Sequence, residues 1–116
     1  MKTAVVTGAS GGIGLETARA LLADGWQVVC LSRHACPLEG VRSISCDITD
    51  RAQVQAAFAA VDRVDLLVNN AGVAGQALFQ DITDELWHRY FSVNVDGAFH
   101  TVQPACSCSM WGSTAC

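Results

Sequence analysis

An α/β fold built on a four-stranded parallel sheet, strand order 3-2-1-4 with helices on both faces, is what this sequence predicts. Three observations carry the prediction. Short apolar runs alternate with stretches of helical periodicity, a glycine-dense turn joins the first run to the first helical stretch, and two of the runs are apolar without alternation. A length of 116 residues allows one domain.

Lys2 to Val6 forms the first strand, and Thr7-Gly8-Ala9-Ser10-Gly11-Gly12-Ile13-Gly14 turns it into a helix running to about Asp24. Leu15, Ala18, Leu21 and Leu22 share one side of that helix, Glu16 and Arg19 lie apart from them, and Gly25 stops it as a left-handed cap. The second strand spans Trp26 to Leu31 and delivers Ser32-Arg33 to its carboxyl end, the edge where open α/β sheets bind ligands. A loop through Cys36, Pro37 and Gly40 leads to a third strand, Val41 to Cys46, followed by Asp47-Ile48-Thr49-Asp50. Asp50 with Gln53 three residues on marks a capped helix start, and Val54, Ala57, Phe58 and Val61 give it one buried face. The fourth strand, Val64 to Val68, ends at Asn69-Asn70-Ala71-Gly72. Thr83 then caps a longer helix with Leu86, Tyr90 and Val93 along one side, expected to reach Gln103 and to end at Pro104.

Composition narrows the function. A hydrophobic content of 51% describes a packed globule, and a net charge of −4 argues against nucleic acid as a partner. Gly8 follows Lys2 too soon for a secretory leader, and no apolar run is long enough to cross a bilayer, so the expectation is a soluble, cytoplasmic protein with no membrane partner. Cys30 and Cys46 read as small buried hydrophobes, and Cys106, Cys108 and Cys116 lack ligand spacing, so no metal site is expected.

The octet Thr7 to Gly14 has the chemistry to hold phosphate: glycines let the backbone turn tightly, and the first amides of the helix point at the bound anion. It departs from G-x-G-x-x-G because Thr17 stands three residues beyond Gly14, and it is no Walker loop because the only lysine is Lys2. Taken alone it also fits a glycine turn that binds nothing.

The octet, Asp47 after the third strand, Asn69-Asn70-Ala71-Gly72 after the fourth, and Asn94 within Ser92-Val93-Asn94-Val95 together resemble the short-chain dehydrogenase/reductase family, over residues 1 to about 103. The resemblance implies a partial Rossmann-like, doubly wound sheet. It also implies dinucleotide contacts: Gly8, Ser10, Gly12, Ile13 and Gly14 at the pyrophosphate, Asp47 and Ile48 on the adenine side, and Asn70, Ala71 and Gly72 beside the ribose and nicotinamide. Arg33 follows Ser32 where an acid would favour NAD, and a guanidinium can take the extra phosphate through paired hydrogen bonds, so NADP(H) is expected over NAD(H). A surface charge is the other reading of Arg33.

The family's reaction moves a hydride between NADP(H) and a carbonyl or alcohol, with proton transfer by a tyrosine, a lysine four residues on and a serine. Asn94 matches the asparagine that accompanies them. Tyr90 is the only tyrosine, four residues before Asn94, and Ser107 and Ser109 follow Asn94 too closely for a strand to intervene. We therefore expect residues 1–103 to be a truncated dinucleotide-binding domain, inactive alone. Residues 104–116 form an uncharged, cysteine-rich tail, expected to be poorly ordered and to mark a frame change or early stop. Two alternatives stay open: an oxidoreductase completed by another chain, and a non-catalytic interaction subunit or relic. The expected partners are the dinucleotide and a second copy or another chain, docked through the fourth-strand edge or the 83–103 helix.

Overall fold

The computed structural model describes residues 1–73 and 75–107. Strands β1 (Thr3–Thr7), β2 (Gln27–Ser32), β3 (Arg42–Ser45) and β4 (Leu66–Val68) form one parallel sheet in the predicted order, β3-β2-β1-β4. The helices are α1 (Gly12–Ala23), α2 (Arg51–Ala59), α3 (Asp84–Phe91) and α4 (Gly97–Ser107). Val5 in β1 pairs with Val29 of β2 and with Leu67 of β4, while Leu31 pairs with Ile44 of β3. β1 thus has a strand on each side, and all of it is buried.

The two-residue period of the strands divides them between two cores. Val5, Val29 and Leu31 cluster with Val54, Ala57 and Phe58 of α2 and with Ala105 of α4. Val6, Val28 and Cys30 cluster with Ala18 of α1, and Leu15, Leu21 and Leu22 are half-buried against them. Each fully buried Val, Leu or Phe contributes about 1.5–3 kcal/mol, so the helices on both faces secure the sheet. Cys36 folds back from its loop into the second cluster, where its N–H donates to Ser43 Oγ at 3.1 Å. β4 begins two residues later than its apolar run suggested. The Asp65 carboxylate accepts the Thr3 N–H at 2.8 Å, in place of a strand carbonyl, and the ladder starts one residue on.

Helix ends follow the capping residues. At the end of α1, Gly25 adopts φ +88°, and its N–H donates to the Leu22 carbonyl while the Trp26 N–H donates to that of Leu21. Asp50 accepts from the N–H groups of Ala52 and Gln53. The Gln53 side chain does not close a capping box; its Oε1 accepts the Asp47 N–H at 2.9 Å instead. Thr83 Oγ1 accepts the Leu86 N–H at 3.1 Å.

The helix expected over residues 83–103 is three pieces. A π-helical turn, Ser92–Asp96, separates α3 from α4. The apolar residues Trp87, Phe91, Val95 and Phe99 recur every fourth position, and each such step overshoots an α-helical turn by about 40°. The wider turn takes up part of that drift. Pro104 does not end the helix: α4 continues through it to Ser107. Pro104 forgoes the bond to the His100 carbonyl, but Thr101 and Ala105, buried on either side of it, anchor the helix across the gap. The rest of the predicted tail, residues 108–116, lies outside the described residues.

Candidate functional site

The carboxyl ends of all four strands open into one cavity of about 560 Å³. Gly8 and Ser10 enter it from the turn after β1, Arg33 from the end of β2, Asp47 and Ile48 from the end of β3, and Asn70, Ala71 and Gly72 from the end of β4. These eight predicted residues are therefore brought together. Gly12 and Ile13 line a separate shallow depression, with Ile13 79% exposed. Gly14 is buried beneath the turn.

Two glycines make the turn possible. Gly8 has φ +69°, and a Cβ there would stand 2.8 Å from Ala71 Cα. A Cβ on Gly14 would stand 2.5 Å from the Gly8 carbonyl oxygen. Any side chain at either position would push the β1 turn away from the β4 loop. The amino end of α1 starts at Gly11, which offers no side chain to cap it, so its first amides keep their capacity for an anion.

The β4 loop is stapled to the turn by hydrogen bonds that sequence patterning did not predict. Thr7 Oγ1 accepts the N–H groups of Asn70 at 3.0 Å and Ala71 at 2.9 Å and donates to the Val68 carbonyl. Asn70 Nδ2 donates to the Gly8 carbonyl at 3.2 Å. Buried Thr101 donates to Asn69 Oδ1 at 2.6 Å, and His100 Nδ1 meets the Ile48 carbonyl at 2.7 Å, so α4 grips both the β4 and β3 loops. Each of these bonds spans more than thirty residues of chain, and for Thr101 and His100 the one sequence signal is a polar residue on an otherwise apolar helix.

Asn94 sits in the π turn, behind the cavity. Its side chain accepts the Val73 N–H at 2.9 Å and donates to the Val73 carbonyl at 3.0 Å. Its Oδ1 also stands 2.8 Å from where a Cβ on Gly72 would be. Asn94 is thus a positioning residue for the β4 loop. The Tyr90 hydroxyl packs against Gly75, away from the cavity lining.

Electrostatically the cavity is mixed. Hydrogen bonds from the Thr49 hydroxyl at 2.7 Å and the Thr49 N–H at 3.0 Å hold the Asp47 carboxyl below its ordinary range, and the nearby Arg33 guanidinium adds to the effect. Arg33 makes no hydrogen bond or ion pair among the described residues and is exposed at the rim. Burial pushes the Cys46 thiol up, and Asp47 and Asp50 push it further, so this lining group stays neutral. The arrangement provides backbone donors at one end and a free guanidinium at the other, with a fixed carboxylate near it.

A family model described as short chain dehydrogenase matches residues 2–114. The 3-oxoacyl-[acyl-carrier-protein] reductase MabA of Mycobacterium tuberculosis is 36% identical over 108 residues, which covers 90% of this chain and 44% of that protein. Carbonyl reductase [NADPH] 2 of Sus scrofa is 38% identical over 109 residues, covering 86% and 44%. The ligand-free structure of Thermoplasma acidophilum aldohexose dehydrogenase superposes with a TM-score of 0.88 at 31% identity, over 92% of this chain and 44% of that one. The chain spans less than half the length of these relatives.

Proposed function

The chain belongs to the short chain dehydrogenase family, and on that premise we propose that it is the NADP(H)-binding half of an oxidoreductase that interconverts a carbonyl and an alcohol. The observation that carries the reading is the cavity where a free guanidinium faces the same space as a glycine cradle that any Cβ would fill. A dinucleotide fits such a donor set: the uncapped amino end of α1 suits a pyrophosphate, and Arg33 suits a 2′-phosphate. The name of the Sus scrofa relative, which specifies NADPH, supports the same choice. When bound, the nucleotide supplies or accepts the hydride.

The residues of this chain then bind and orient. Gly8 and Gly14 bring the backbone close to the phosphates, while Asp47 and Ile48 bound the adenine side. Asn70, Ala71 and Gly72 form the wall beside the ribose and nicotinamide, and Thr7 and Asn94 keep that wall in place. No serine, tyrosine and lysine set for moving the proton is present in the 116 residues, so the chain by itself holds nucleotide without turnover.

Titration with NADPH and NADH, followed by nicotinamide fluorescence and thermal midpoint, tests the reading. Wild type is expected to prefer NADPH, and Arg33→Ala to weaken NADPH by about tenfold or more while leaving NADH nearly unchanged. Equal losses for both nucleotides, or no binding of either, would overturn it.

A second reading is favoured by an exposed apolar stripe on α3, the π turn and α4. Trp87, Phe91, Val95, Phe99 and Val102 are each 43–53% exposed. Together with the open edge of β4 this stripe fits a second chain that carries the remainder of the family's sheet and its proton-transfer residues.

A further inference from the structure

The chain has seven lysines and arginines. Five of them are engaged. Lys2 lies over the Trp26 ring, Arg19 pairs with Glu16, Arg42 donates to the Ala60 carbonyl, Arg51 lies over Phe99 and donates to Gln103, and Arg63 pairs with Asp65. The two without a hydrogen bond, ion pair or ring contact among the described residues are Arg33 and Arg89, and both line the same cavity. In a chain of net charge −4 with eleven acidic residues, two guanidiniums that line one cavity without a hydrogen bond or ion pair call for a ligand that uses both.

They do not meet the same part of it. Arg33 enters from the end of β2, near Asp47, whereas Arg89 enters from α3. Arg89 precedes Val93 by one helical turn, with Ser92 between them, and all three residues line the cavity. Val93 packs against the core cluster that contains Ile48. If Arg33 takes the 2′-phosphate, the base attached to that ribose can reach the apolar surface of Ile48 and Val93, one helical turn along from Arg89. A guanidinium is planar, weakly hydrated and stacks on aromatic faces, so a purine is the group it suits there.

We propose that Arg89 lies on the adenine ring of the bound dinucleotide and anchors it without distinguishing NADP(H) from NAD(H). This rests on the dinucleotide reading given above. Arg33 then sets which nucleotide is chosen, and Arg89 sets how tightly either is held.

Calorimetric titration of the full chain with NADPH, NADH and 5′-AMP separates the possibilities. Arg89→Ala is expected to weaken all three by a similar factor, about three- to thirtyfold. Arg89→Lys, which keeps the charge but not the plane, is expected to recover less than half of that loss on a logarithmic scale. Arg89→Met retains the apolar stem and serves where Arg89→Ala does not fold, with the unliganded thermal midpoint as the check. A loss confined to NADPH would make Arg89 a phosphate contact and overturn the proposal, as would affinities within twofold of wild type. Wild type that binds no nucleotide would sink the dinucleotide reading and this inference together. Binding that responds to Arg33→Ala but not to Arg89→Met would sink this inference alone.

Discussion

Thr7 offers no chemistry to a ligand, yet its hydroxyl fixes two amides and a carbonyl at the hinge between turn and β4 loop. Its neighbour Gly8 stood out in the sequence as part of a glycine-dense turn between an apolar run and a helix, and it lies in such a turn, at φ +69°. The role of Thr7 was not legible there, since its partners lie more than sixty residues away and no period links them. Arg89 was hidden for a similar reason: on a helix face it reads as solvated charge, and only the pairing of the other cations sets it apart. Asp47 carries a pH dependence of defined sign. Its pKa in the fold lies below the ordinary 3.8, so the stability it contributes is complete above that value and drains away as pH falls through the folded value. Thermal midpoints measured from about pH 6 down to about pH 2.5 are expected to show wild type above Asp47→Asn at the upper end, with the gap closing below about pH 4. A gap that stays constant across that range would show that the carboxylate is not favoured by the fold.

Elements were legible where a terminal side chain bonds to its own helix. Gly25, Asp50 and Thr83 each stood out as a boundary, and each terminates or starts a helix within a residue or so of the expected place. Asp50→Ala is expected to cost about 1 kcal/mol, seen as a lower denaturation midpoint with an unchanged slope. The Gln53 amide loses a partner in that variant but keeps its bond to the Asp47 N–H. The 83–107 region was harder to read. Local rules treat Pro104 as a stop and know nothing of Thr101 and Ala105, whose burial depends on the sheet. The π turn has no residue signature of its own, and its trace in the sequence is a spacing of four that an ordinary helix cannot keep on one side.

At the scale of the molecule, the strand order was legible from alternation and connection rules, and a cavity lies at the carboxyl ends of the strands, the edge those rules point to. Which surfaces are left uncovered was not legible, because a helix with apolar residues most of the way round does not say which of its sides meets the sheet. Leu86, Tyr90 and Val93 turn partly inward, and Trp87, Phe91, Val95, Phe99 and Val102 turn out. Trp87 and Phe91 stack with ring centroids 4.7 Å apart, so they form one apolar patch. Sedimentation velocity of wild type is expected to show association that rises with concentration, and Trp87→Ser with Phe91→Ser to shift the chain toward monomer while NADPH still binds. Monomeric wild type at high concentration would remove the ground for a docking role of this face.

β1 draws both of its neighbours from within these residues, β2 by way of α1 and β4 only after the chain has passed through β3 and α2. In a polypeptide that carries this segment at its amino end, the ribosome releases the innermost strand together with everything that flanks it. If the cavity holds a dinucleotide as proposed, it can then close during synthesis, before any later segment emerges, and NADPH added to a translation extract would meet a receptive site on a chain still being made.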